Sequence, residues 1–133
     1  MIFAYAEATV PKVSLILRKA YGGAYIVMSS KHLGSDLNYS LPGAEIAVMG
    51  PEAAVNVVFR KELENATDRE GSQREMAQKY REELATPLVA AARGYLDDIL
   101  QPQEIRPRLI QSFEMLKDKR QAVPKRKHGN IPL

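Results

Sequence analysis

Lys19-Ala20-Tyr21-Gly22-Gly23-Ala24-Tyr25 is the segment whose residue types bear most directly on chemistry. It follows a β-branched, apolar run from Val13 to Leu17 and precedes a second apolar run, Tyr25 to Met28, that can begin a helix. A strand that hands over to a helix through small residues leaves the first N–H groups of that helix without intrahelical acceptors. Reinforced by the positive end of the helix dipole, such donors hold negative charge developing on a carbonyl oxygen without any ionisable side chain. Gly22, Gly23 and Ala24 therefore outline an oxyanion hole. A Gly-Gly pair equally serves a tight turn or close helix–sheet packing, and the residues alone leave both readings open.

Few side chains elsewhere invite catalytic roles. Glu45, at a strand end, has the chemistry of a general base toward water or an acidic C–H bond, or is simply a strand-end residue. His32 beside Lys31 fits a proton shuttle, a phosphate contact or, more plainly, a cation at a helix C-terminus. Asp97 and Asp98 are adjacent, so on a helix they point in different directions, and capping or salt bridging is the simpler use than paired catalysis. His128 lies in a tail, far in sequence from His32, and the two histidines have no evident third ligand; no metal site is expected.

The rest of the composition narrows the class. In 133 residues, 45% hydrophobic and 26% charged, there is room for one modest domain, short for a complete two-substrate enzyme. Cysteine is absent, which excludes disulfides and thiolate metal sites. No run reaches the ~20 apolar residues of a bilayer span, and Met1 to Thr9 lacks the features of a signal peptide, so no membrane association and a cytoplasmic or similarly reducing location are expected. The net charge of +3 is concentrated in residues 117–133, which hold six Lys/Arg against one Asp, leaving the body mildly acidic. That basic tail carries no aromatic residue for base stacking, and nucleic acid is not an expected partner.

The elements that must position the corner alternate. Met1 to Thr9 reads as the end of a short helix stopped by Pro11, and Pro11 to Lys19 as a buried strand. A helix over 24–30 follows, then two strands, Asp36 to Tyr39 and Ala44 to Met49, paired around Pro42-Gly43. Pro51 opens a helix to about Arg60. Residues 65–86 turn nearly all polar, with Met76, Tyr80 and Leu84 at four-residue spacing; so thin a stripe predicts a protruding helical insertion and not a core helix. Thr86-Pro87 starts a helix to about Arg93, and Arg106-Pro107 a last one whose Leu109, Ile110, Phe113 and Leu116 share an apolar face. Residues 121–133 read as an extended basic tail. Alternating strands and helices followed by helices alone predict an α/β fold.

Several stretches, in order along nearly the whole chain, resemble the carboxyltransferase beta subunits of biotin-dependent acyl-CoA carboxylases, the propionyl-CoA carboxylase type above all. They are Thr9-Val10-Pro11-Lys12, Arg18 to Tyr25, Ser30-Lys31-His32-Leu33-Gly34, Ala44 to Gly50, Arg93 to Ile99 and the ending Arg126 to Leu133. The resemblance implies a crotonase-like superhelix of strand-strand-helix units, with residues 1–133 forming the C-terminal, biotin-side part of the second of two domains. It implies that the amides matching Gly23 and Ala24 hold the ureido oxygen of biotin, with Gly22 and Ile26 completing the biotin-binding corner. Carboxylate would pass from carboxybiotin on a carrier protein to a short-chain acyl-CoA, propionyl-CoA to methylmalonyl-CoA first among them, with the acyl-CoA oxyanion hole lying in the missing domain. The implied partners are the biotin carboxyl carrier or biotin carboxylase subunit, the acyl-CoA and other copies of the chain in a hexamer. The fragment alone is then expected to be inactive. The carboxyltransferase subunits of methylmalonyl-CoA or glutaconyl-CoA decarboxylases run the same half-reaction in reverse and share these motifs, and a non-catalytic, self-associating assembly module is the reading from another class. The chain departs from the family pattern at Ile26, Asp in many propionyl-type members, at Leu41 and Gly43 of a Trp-Pro-Thr, and at Ala53, where Gly is usual. A methyl group at 53 is expected to crowd any backbone approach near that helix start.

Overall fold

The computed structural model describes residues 1–122, so the basic tail and His128 fall wholly or largely outside the described residues. The chain opens with α1 (Ile2–Glu7) and then repeats one unit. β1 (Val13–Ile16), β2 (Lys19–Tyr21) and α2 (Gly22–Val27) form the first turn; β3 (Leu37–Ser40), β4 (Glu45–Ala47) and α3 (Pro51–Val58) form the second. Each turn adds one strand to each of two sheets. β3 lies between β1 and β5 (Asp98–Ile99), all parallel, while β2 pairs in parallel with β4, Ala20 facing Ile46. This is the strand-strand-helix superhelix implied by the resemblance, cut to two turns.

The expected pairing of the two strands around Pro42-Gly43 does not occur. β3 and β4 belong to different sheets, because the turn at Leu41–Ala44, closed by the Ala44 amide on the Leu41 carbonyl at 3.1 Å, carries the chain from one sheet to the other. The Lys19–Tyr21 strand was not anticipated. Short, with a lysine at its start, it has no alternating apolar pattern, and its partner β4 lies a full turn away in sequence.

Beyond α3 and the short α4 (Arg60–Glu64), the polar segment forms α5 (Arg69–Glu83), capped by the Asp68 side chain on the Gly71 amide. The reading of this helix as standing off the core is corrected: it packs on α3, and Ala77 is buried with Val55 and Leu63 in a cluster edged by Phe59, Met76 and Tyr80. Alanine lets the two helices approach closely, so a thin stripe suffices. A second cluster, Ala20, Ile46, Ala90 and Leu96, joins β2 and β4 to α6 (Pro87–Ala92). After a short turn, α7 (Ile105–Leu116) follows. Of its apolar face Leu109 and Leu116 are half-buried, whereas Ile110 is 60% and Phe113 50% exposed, as is Met115 (66%) elsewhere on the helix. Ser112 alone is buried, its hydroxyl 2.8 Å from that of Tyr39.

Among the described residues no helix is long and apolar enough to cross a membrane.

Candidate functional site

β2 ends at Tyr21 and α2 begins at Gly22 without an intervening loop. The junction depends on Gly22, whose φ of +57° lies in the left-handed region and whose α-carbon faces the Val48 carbonyl so closely that a Cβ would come within 2.9 Å of it. Any side chain there would be both strained and clashing. Gly23 and Ala24 occupy the next positions of the first helical turn. Their amides have no intrahelical acceptor, Tyr21 supplies no side-chain cap, and no acceptor for either is found among the described residues. Both residues are exposed.

A cleft of about 430 Å³ opens beside this corner. Gly22, Gly23 and Ile26 line one wall, and Tyr80 of α5 and Leu84 just after it, with Arg93 and Tyr95, line another. Ala24 instead lines a neighbouring cavity of about 480 Å³, and Tyr25 borders both spaces. Ile26 is 36% exposed. Of the sequence-derived residues, Gly22, Gly23 and Ile26 are thus brought together with His32, while the side chain of Ala24 borders the second space.

His32 lies between two aromatic rings, edge-on to Tyr25 with centroids 6.2 Å apart and tilted on Tyr95 at 4.7 Å. Burial, with the nearby Tyr95 phenol adding, pushes the Tyr25 hydroxyl above its ordinary value, which keeps it protonated. The Tyr95 position follows from local sequence. Gly94 takes φ +77° after the last turn of α6, its amide reaches the Ala91 carbonyl at 2.9 Å, and the Tyr95 amide reaches that of Ala90 at 2.9 Å. Such a left-handed helix stop fixes Arg93 as the capping residue and turns Tyr95 back onto the Ala90 cluster.

Glu45 is not presented to the cleft as a base. Its Oε2 accepts hydrogen bonds from the Tyr21 hydroxyl and, at 3.3 Å, from Arg81 Nε, while Arg81 Nη2 reaches Glu52 at 2.8 Å. Burial alone would raise the Glu45 carboxyl, but the bonds from Tyr21 and Arg81 outweigh it and hold the group below its ordinary value. Burial and the same carboxylate push Tyr21 up to about 12. A carboxylate held ionised at neutral pH and doubly occupied is a poor proton acceptor and a good strut: it ties the residue preceding Gly22 to α5.

The other candidates are structural as well. Lys31 bridges Asp97 at 2.8 Å and donates to the Asp36 carbonyl at 2.8 Å, which assigns it to local tethering. Asp97 accepts the Asn38 amide, and Asp98 pairs with Arg108 at 2.9 Å, so the salt-bridging use of the acidic pair holds. Ala53 is on the exposed face of α3, where a methyl group has room, and a Cβ on Gly43 would meet open space. Among the described residues no cluster of potential metal ligands occurs. Sequence reasoning missed the far wall of the cleft, Tyr80, Arg93 and Tyr95; the Gly94 stop after an alanine-rich helix was the signal that would have placed the last two.

The fold and sequence have counterparts among known proteins. The carboxyl transferase domain model matches residues 1–131. The carboxyltransferase subunit of propionyl-CoA carboxylase from Haloferax mediterranei is 56% identical over the whole chain, and the alpha subunit of methylmalonyl-CoA decarboxylase from Propionigenium modestum 51%. Among solved structures, the transcarboxylase 12S hexamer with methylmalonyl-coenzyme A and methylmalonic acid bound superposes with a TM-score of 0.90 at 48% identity, covering 99% of this chain and 25% of that one. Geranyl-CoA carboxylase beta subunit from P. aeruginosa superposes at 0.74 with 26% identity. The chain spans 26% of the length of each of the two sequence relatives. Its two parallel sheets, its strand-strand-helix turns and the match over residues 1–131 establish that the chain belongs to the carboxyl transferase domain family, with the crotonase-like fold.

Proposed function

We propose that this segment is the biotin-side half of an acyl-CoA carboxyltransferase, moving a carboxylate between biotin on a carrier protein and a short-chain acyl-CoA, with propionyl-CoA and methylmalonyl-CoA as the pair. The observation that carries the reading is the pair of unengaged amides, Gly23 and Ala24, at the first turn of α2 beside an open cleft. The residues suit a biotin ring: Gly23 lines the cleft with Ala24 next to it in the same helical turn, and Ile26, Ile46, Val48 and Val89 offer apolar contact to the body of a bicyclic ligand. When bound, biotin supplies a transferable carboxylate. The chain's part is to hold the ureido oxygen by main-chain donors as negative charge grows on it, to position the ring through Ile26, and to keep the corner rigid through Tyr21, Glu45 and Arg81. No proton need be moved by a side chain of this segment.

The acyl-CoA site, the carrier and the assembly into a larger oligomer belong to the same proposal. The 12S relative is a hexamer, and the exposed apolar residues of α7, Ile110, Phe113 and Met115, are the surface here that such assembly would cover. The match to a decarboxylase subunit supports the reverse direction on the same corner, since stabilising the ureido oxygen serves both. The test is transfer itself. A chimera in which this segment replaces the matching quarter of the Haloferax relative is expected to form methylmalonyl-CoA from propionyl-CoA and a carboxylated carrier; no product, with the parent active in parallel, would refute the reading.

A further inference from the structure

The cleft has an electrostatic asymmetry that the amide corner does not account for. Among the described residues no aspartate or glutamate lines it, and Arg93 is the one permanently charged lining residue. Arg93 is exposed, and among the described residues its guanidinium has neither an ion pair nor a side-chain hydrogen bond. It is not placed loosely, because the left-handed stop at Gly94 pins its backbone between α6 and Tyr95. Of the other cations near the corner, Arg81 is committed to Glu45 and Glu52 and Lys31 to Asp97, while Arg18 and Lys19 line the neighbouring cavity and not this cleft. A cleft with neutral donors on one wall and an uncompensated guanidinium on another is complementary to a ligand with a polar carbonyl at one end and an anionic group at the other.

We propose that Arg93 is the anion subsite of this cleft, holding the carboxylate attached to a ureido nitrogen while Gly23 and Ala24 hold the ureido oxygen; this rests on the biotin reading above. Guanidinium geometry matches a carboxylate through two parallel N–H donors, so the subsite distinguishes a carboxylated ring from a bare one. Because the contact is solvent-exposed, it orients the carboxylate without trapping it.

The test uses two stable probes made from biotin methyl ester, one carrying a carboxymethyl group on a ureido nitrogen and one the uncharged carbamoylmethyl group of the same size. Titration of the chain, followed by backbone amide shifts and calorimetry, is expected to show the acid binding about tenfold more tightly than the amide, as a charge-assisted bond predicts. Arg93→Gln should abolish that preference while leaving affinity for the amide probe within about twofold, which also certifies the fold; Arg93→Lys should restore part of it. Equal binding of both probes by the unaltered chain, with Gly23 and Ala24 perturbed, would overturn the Arg93 subsite and leave the biotin reading standing. A preference that survives in Arg93→Gln would do the same. Silence of Gly23 and Ala24 toward both probes would overturn the biotin reading and this proposal with it.

Discussion

At the Gly22–Ala24 corner nearly every group is held from within the chain. Tyr21 is tied through Glu45 to Arg81, Val48 closes the space behind Gly22, and Tyr25 and Tyr95 clasp His32, which leaves the two amides as the unengaged main-chain donors, beside a Tyr25 hydroxyl that has no partner among the described residues. On α7 the reverse is true: a well-formed amphipathic helix, preceded by the Gln101–Glu104 capping box, presents Ile110, Phe113 and Met115 to solvent. Both regions follow local rules equally well. The difference lies in where the partners are, inside the chain for the corner and outside it for α7. In a quarter-length segment, unused hydrogen-bond donors beside a cleft mark a ligand site, whereas unused apolar area marks a protein surface.

Substitutions can break that contrast. The largest effect is expected from Leu63→Ala: this fully buried side chain locks α4 to α3 and α5, and its loss should cost about 2–5 kcal/mol in chemical denaturation, against little change for Phe113→Ser on α7. Gly22→Ala comes next. Left-handed strain of about 1–2 kcal/mol adds to the clash with the Val48 carbonyl, so the variant should unfold at lower denaturant and lose its response to biotin, whereas Gly23→Ala, whose Cβ meets nothing, should keep its stability.

The Arg81 strut is smaller, worth about 1 kcal/mol. Its sign with pH follows from Glu45, whose carboxyl is lowered on folding: the stabilisation is present above the unfolded carboxylate range and is lost as pH falls through the folded value. Arg81→Ala should flatten that acid limb in a urea series from pH 7 to pH 3; an unchanged limb would remove the strut. The mildest effect on the fold, within about 0.5 kcal/mol, is that of Phe113→Ser, yet it should move sedimentation of the concentrated chain from dimer or larger toward monomer. A parent chain that stays monomeric would contradict the reading of α7 as an assembly surface.

What the sequence disclosed was what short-range chemistry specifies. Val13–Ile16 is β-branched, Pro51 and Pro87 sit in the first turns of α3 and α6, and the Gly-Gly corner lies between a strand and a helix. Long-range facts were not legible. The β2–β4 pairing, the sorting of β3 and β4 into separate sheets and the burial of Ala77 all depend on a superhelix whose neighbours are a turn apart. For the site, Gly22, Gly23, Ala24 and Ile26 could be named because their spacing is local, but the opposing wall, with Tyr80, Arg93 and Tyr95, comes from much later in the chain, and although the Arg93–Ile99 stretch and the Gly94 stop were visible, nothing local says that they face the corner.

The account stands on the two amides of Gly23 and Ala24. The most direct measurement is a titration of the 15N-labelled chain with biotin methyl ester, read residue by residue. The account predicts saturable shifts centred on Gly23 and Ala24 that spread to Ile26 and Tyr95; saturable shifts elsewhere with those two amides unmoved, or no shifts at all at millimolar ligand, would contradict it.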